Sequence, residues 1–216
     1  MNRDRGRRWQ SARERARVAA ELLEEAESLT QAAFLSGSGT VEAAASAPKG
    51  NGNGHAPAAD ALNRDVALAE LDRALATDTG NAALLLRRAA LLGAMGRYAA
   101  AQRDLLRVLG DDPGNADVLT RFGILLSRRG LWAEAVVHLR RAAELEPARA
   151  PAWYYLGEAL NHIDDLSGAL AAFARAAELQ PQDPKALHGQ GVVLDRMRRP
   201  ADATVMYRRA REVAGR

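Results

Sequence analysis

Apolar and small residues recur along this chain in steps of 34. From Leu71 the step lands on Leu105, Leu139, Phe173 and Tyr207, all large and apolar. From Ala67 it lands on Ala101, Ala135, Ala169 and Ala203, and from Ala89 on Gly123, Gly157 and Gly191, all small. Pro113 leads to Pro147 and Pro181, and Arg141-Ala-Ala-Glu-Leu-Glu-Pro147 returns as Arg175-Ala-Ala-Glu-Leu-Gln-Pro181. Several columns agreeing in residue type at one fixed period mark a repeat protein.

Each period reads as two helices joined by a short turn. Full units are predicted at about 82–113, 116–147, 150–181 and 184–215, with turns at Met95-Gly96-Arg97, Arg129-Gly130, Asp164-Asp165 and Arg198-Arg199-Pro200. Asn81, Asn115 and Asp183 suit N-caps, and Pro151 and Pro184 suit a first helical turn. A half unit precedes them: the helix of about 61–77 occupies second-helix columns but has linker where its first helix would be. The repeat region as a whole is 60–215.

The glycine and alanine columns are expected where the two helices of a unit approach closely. Leu85, Leu119, Trp153 and Leu187, then Leu92, Leu126, Leu160 and Leu194, fill the space between. No single pair buries enough surface alone, so the pairs must stack.

Upstream the pattern changes. Residues 1–10 carry Arg3, Arg5, Arg7 and Arg8 and no folding pattern, so they read as a disordered basic tail. Ser11-Ala-Arg-Glu14 matches a capping box, and a helix is predicted over 11–35. Its stripe of Trp9, Ala12, Ala16, Ala19, Leu23 and Ala26 is weakly apolar; Arg13, Arg15 and Arg17 come first, then Glu21, Glu24, Glu25 and Glu27. Packing against the repeats, to cover the bare face of the half unit, or against a copy of itself is the preferred expectation for this helix. A fraying, unpacked helix and an arginine-led contact with RNA or an anionic membrane are the alternatives; the glutamates would repel phosphates. Residues 36–59, rich in Gly, Ser, Ala and Asn, read as a flexible linker. Gly50, Gly52 and Gly54 open no nucleotide-binding helix there, and His55 is given no role.

The unit Trp153-x-x-Leu156-Gly157-x-x-Leu160, followed by Ala169, Phe173, Ala176 and Pro181, resembles the tetratricopeptide repeat (TPR). Leu160 stands where that family usually has tyrosine. The 116–147 unit matches nearly as well; the 82–113 unit departs at Arg88, where leucine is usual, and the last unit at Gln190 and Gly215. The resemblance covers about 61–214 and implies an all-α fold, a TPR helical-hairpin solenoid, here with an extra N-terminal helix on a flexible linker. It further implies a concave face, built by the first helices, that holds a protein or peptide partner. Residues expected to project there are Thr120, Ile124 and Arg128, then Tyr154, Glu158, Asn161 and His162, and finally Lys185, His188, Asp195 and Arg196. With Leu86, Ala90, Gly93 and Ala94 upstream, the groove would be apolar at its N-terminal end and mixed in charge at its C-terminal end. Family members that clamp a chaperone's terminal carboxylate use a lysine, asparagine and arginine set. The matching positions here are Thr120, Ile124, Tyr155, Lys185 and Gly189, so only Lys185 is present and that role is disfavoured.

Composition adds exclusions. Hydrophobic residues make up 48% but aromatics only 5%, so alanine, the best helix former, dominates. Cysteine is absent, which excludes disulfides, thiolate metal sites and cysteine nucleophiles. A metal between His162 and His188, with Glu158 or Asp195, is disfavoured, and His138 is expected at the rim or surface. No run approaches the roughly 18 apolar residues of a membrane span, and the basic start has no apolar core behind it, so the cytoplasm is the expected compartment. The net charge of +3 is small. No nucleophile or acid/base group sits in a catalytic motif, so neither enzymatic activity nor a cofactor is expected. The function expected is a non-enzymatic scaffold or adaptor, with self-association through the uncapped C-terminal helix, where Val205, Met206 and Val213 flank Tyr207, as a further expectation. A subunit accessory to a separately encoded enzyme is a third.

Overall fold

The computed structural model describes residues 57–215, with side chains from Asn63 onward. The expectations for the basic tail, the 11–35 helix and most of the linker fall outside these residues. Nine helices and no strand occur among the described residues. They are α1 (Pro57–Thr77), α2 (Ala82–Ala94), α3 (Tyr98–Asp111), α4 (Ala116–Arg128), α5 (Trp132–Leu145), α6 (Ala150–His162), α7 (Leu166–Leu179), α8 (Pro184–Arg196) and α9 (Pro200–Ala214). The linker does not extend to residue 59: α1 begins at Pro57, whose fixed φ suits a first helical turn, and alanines follow it.

Caps and turns follow from residues that repeat. Asn81 accepts from the Leu84 amide and Asn115 from the Val118 amide, each at 3.1 Å, and Asp183 accepts from the Lys185 amide at 2.9 Å. Every second-helix entry uses a left-handed residue at the same place in the period: Gly96 (φ 74°), Gly130 (φ 77°), Asp164 (φ 66°) and Arg198 (φ 59°). The next amide then reaches back five residues, Arg97 to Leu92, Leu131 to Leu126, Asp165 to Leu160 and Arg199 to Leu194. That is the Schellman closure, which satisfies carbonyls that a helix end leaves open. Gly96 and Gly130 adopt it without strain, whereas Asp164 and Arg198 bring a Cβ into a region L-residues disfavour.

The chain divides into two compact units, the first ending at Gly110 and the second beginning at Asp111. In the first, α1 packs on α2. Leu68 and Leu75 of α1 are 7% and 5% exposed. Arg88, the departure from leucine, has its own partner. Its Nε and Nη2 donate to both oxygens of Asp104 on α3 at 2.8 and 2.7 Å, and its Nη1 donates to Asp72 on α1 at 2.7 Å. One guanidinium thus ties three helices, and these bonds, foremost those to Asp104, hold it more firmly protonated than usual.

In the second unit each helix packs on the next, and alternate helices α4 and α6, α6 and α8, also touch. Ala135, Ala169 and Ala203 are buried, as are Leu119, Leu126, Leu139 and Phe173. The glycine column works by close approach. A Cβ on Gly123 would lie 2.4 Å from Leu139 Cγ, one on Gly157 2.8 Å from Phe173, and one on Gly191 2.4 Å from Tyr207. Gly189 adds a contact across units, since its Cβ would also lie 2.8 Å from Phe173. Phe173 is therefore held between α6 and α8. Trp153, expected in the core, is only half-buried, and its indole N–H donates to the Pro147 carbonyl at 3.0 Å.

Candidate functional site

The residues expected to line one groove divide into three groups. Thr120 is not available to a ligand: it is 3% exposed and its hydroxyl donates to the Ala116 carbonyl at 2.7 Å. A small β-branched side chain that bonds its own preceding turn packs well inside a helical stack. Gly93 is likewise buried, and Ile124 is half-buried. Arg128 is exposed in the last turn of α4.

The second group is engaged in contacts within the fold, some within a unit and some across units. Arg196 donates to the backbone and side-chain oxygens of Asn161 and pairs with Asp164, so α8 is fastened to the end of α6. Asp195 accepts from the Tyr207 hydroxyl at 2.8 Å. His162 lies flat on Trp132, with ring centroids 3.7 Å apart and planes 5° apart. His188 is instead 5.3 Å from the Tyr207 ring. The two histidines have separate partners, and no group of three or more metal-ligating side chains occurs among the described residues.

The third group shares a concavity. Tyr154 on α6 and Lys185 and His188 on α8, with Pro184, form one side of a pocket of 670 Å³. Tyr207, Ala210, Arg211 and Ala214 of α9 form the other. Tyr154 is half-buried, and its hydroxyl donates to Glu158 at 2.8 Å. Burial first, and the bond to Glu158 second, push its ionisation well above the usual tyrosine range, so it stays a neutral donor. Burial and Asp195 push Tyr207 in the same direction. Lys185 and Arg211 are exposed and make no ion pair among the described residues. The pocket therefore offers an aromatic and alanine wall with two cations at its edge, unpaired among the described residues, which suits an apolar segment carrying a carboxylate. The sequence pointed to Tyr154, Lys185 and His188 and to an apolar last helix around Tyr207, but not to Ala210, Arg211 or Ala214. Small residues one and two turns beyond Tyr207 were the available signal.

A second concavity, of 420 Å³, lies in the first unit, floored by Leu68 and Leu92 and edged by Arg88, Arg97, Arg103 and Arg107. Arg88 is already committed to Asp72 and Asp104.

His138 corrects another expectation. It is 3% exposed rather than at the rim, its ring meets Phe122 edge-on at 4.7 Å, and its Nδ1 has no hydrogen-bond partner. Burial lowers its pKa to about 4, so at neutral pH it is an uncharged core residue.

No helix of the described residues is long and apolar enough to cross a membrane, and the arginines behind the RNA or membrane alternative lie outside those residues. No protein-family model matches the chain, and no curated protein sequence matches it. Solved structures do. MamA superposes with a TM-score of 0.65 at 20% identity, over 73% of this chain and 92% of that one. MamA from Desulfovibrio magneticus RS-1, from residue 41 to its end, superposes with a TM-score of 0.65 at 19% identity, over 91% of this chain and 95% of that one. YrrB, a TPR protein with an unusual peptide-binding site, gives 0.59 at 24% identity over 72% of this chain and 80% of its own. At these identities the likeness establishes the fold.

Proposed function

We propose that this chain, whose fold is the helical-hairpin solenoid of the tetratricopeptide repeat, is a protein-interaction scaffold that binds a partner segment at the α6–α8–α9 pocket. The observation that carries the reading is the pocket itself. Stacked helical pairs normally bury their aromatic and alanine faces against the next pair, yet Tyr154, His188 and Tyr207 converge on open space there. An apolar anchor would bury against the aromatic rings, and a carboxylate on the same segment would meet Lys185 and Arg211. That YrrB is a peptide-binding TPR protein agrees with this class of partner without naming one. No residue of the pocket is arranged as a nucleophile with a base, so binding rather than catalysis is the chemistry it supports.

Capture from a nuclease-treated lysate tests the reading, with the full chain set beside Lys185→Glu/Arg211→Glu. Both substitutions fall on exposed side chains, so the fold should be kept, and circular dichroism checks this. The expected result is a protein retained by the unaltered chain and at least tenfold depleted on the double variant. Equal retention by both would refute the pocket as the binding site. Loss of the signal on nuclease treatment would instead favour the arginine-led alternative.

A further inference from the structure

In the recess of the first unit the repeat changes chemistry. Where Arg88 stands, the next two periods have Phe122 and Leu156; for Arg97 they have Leu131 and Asp165, and for Arg103, Val137 and Ala171. Arg107 keeps its type through Arg141 and Arg175 but not its partner. Arg141 pairs with Glu144 and Arg175 with Glu178, and the corresponding place after Arg107 is Gly110. Arg97, Arg103 and Arg107 are exposed, and their side chains make no ion pair or hydrogen bond among the described residues. Arg103 and Arg107 stand one turn apart on α3, a like-charge spacing that weakens a helix, so helix stability does not account for them. All four arginines line the 420 Å³ concavity, together with Asp72 and Asp104. Arg88 takes up both carboxylates with three of its five N–H groups, and two N–H groups remain. The recess is left with two positive charges beyond its own carboxylates.

We infer that this recess receives the phosphomonoester of a phosphorylated serine or threonine in a partner segment. The inference rests on the protein-interaction reading above for the class of partner, and concerns a recess separate from the α6–α8–α9 pocket. Charge selects the ligand. A phosphomonoester carries about −1.5 to −2 at neutral pH, which matches the surplus, whereas one carboxylate or one phosphodiester would leave about half of it unmet. Geometry agrees with charge. A guanidinium is a planar fork that meets phosphate oxygens two at a time, and three unpaired forks offer more donors than the two oxygens of a carboxylate can accept. The concavity is larger than a phosphate group, and Leu68, Leu92 and Ala100 supply apolar surface for the carbon chain that bears it. No aromatic ring lines it, so a nucleotide base would have nothing to stack on. Phosphorylation of the partner would then switch this contact on.

The test is fluorescence polarisation on the full chain with three pools of short labelled peptides. All have randomised flanks and differ only in a central phosphoserine, serine or glutamate. The expected result is that the phosphoserine pool binds about tenfold more tightly than either of the others. Arg97→Gln/Arg103→Gln/Arg107→Gln should abolish that preference with its circular dichroism unchanged, since all three side chains are exposed. Arg140→Gln/Arg209→Gln, which removes exposed arginines elsewhere, should keep it. Equal binding of the three pools, or an equal loss in the two variants, would overturn the inference. So would displacement of the phosphoserine pool by single-stranded RNA of matched phosphate content. If the phosphoserine preference holds while Lys185→Glu/Arg211→Glu keeps its lysate partner, the pocket reading falls and this inference stands. The opposite pattern removes this inference and leaves the pocket.

Discussion

Acidification should unfold this protein through one residue more than any other, His138. The imidazole is 3% exposed, has an unpartnered Nδ1 and titrates at about 4, against 6.5 for a free histidine. Burial opposes the proton, so the unfolded chain binds it more readily than the folded one between those two values. Stability that is fully present above pH 6.5 is therefore lost as the pH falls toward 4. Linkage puts the loss from this group between pH 7.5 and pH 5.0 at about 2 kcal/mol, a large share of the roughly 5–15 kcal/mol a domain possesses. Carboxylates titrate too, so the assay compares two proteins: urea unfolding, followed by circular dichroism at both pH values, for the unaltered chain and for His138→Leu. Leucine fits against Phe122 without a titrating group or an unmet hydrogen bond, so at pH 7.5 the variant should lie within about 1 kcal/mol of the parent. At pH 5.0 it should have lost about 2 kcal/mol less than the parent. Equal losses in the two proteins would refute a buried neutral His138.

Two further predictions concern the interhelical contacts. Arg88→Leu restores the residue usual in the repeat but strands Asp104, whose side chain is 7% exposed, and should cost about 3 kcal/mol or more. Adding Asp104→Ala, to mimic Leu156 and Ala172 two periods later, should recover most of that loss in a urea-melt double-mutant cycle. Failure of the second substitution to rescue the first would mean the ion pair is not what Arg88 supplies. Gly157→Ala places a Cβ 2.8 Å from a Phe173 ring that Gly189 blocks on its other side, and should cost about 1–3 kcal/mol. Phe173→Leu should cost less in that background than alone, and strict additivity of the two would show that the ring can move aside.

Much of the architecture could be read along the chain because it is local and repeated. A cap needs one side chain and an amide two or three residues on, as at Asn81, Asn115 and Asp183. A left-handed turn needs one position per period, and the glycines at 96 and 130 mark it even though Asp164 and Arg198 then depart from type. The small-to-large pairing of Gly123 with Leu139, Gly157 with Phe173 and Gly191 with Tyr207 sits at a constant spacing of 16, so periodicity alone places it.

The site was legible only in part, because exposure is a property of neighbours rather than of residue type. Arg88 meets Asp104, Phe122 meets His138 one period on, and Leu156 and Ala172, both buried, hold the same two positions two periods on. Three chemistries fill these positions, and of them the sequence placed His138 at the rim or surface and gave Arg88 only as a departure from leucine. Thr120 looked like a groove residue for the same reason and is closed off by its stack. Arg196 and Asn161 have the polarity of ligand contacts but spend it on each other, since a long guanidinium reaches across a helix pair that lies 35 residues away.

Repeat number, helix order and the residues between helices were thus determined by the sequence, because they depend on contacts at fixed short separations. Which polar groups are buried, which are already paired, and that Tyr154, Lys185, His188, Tyr207 and Arg211 surround one open space were decided only by the tertiary structure. Those facts depend on three helices meeting, and no periodic column records where a neighbour is missing.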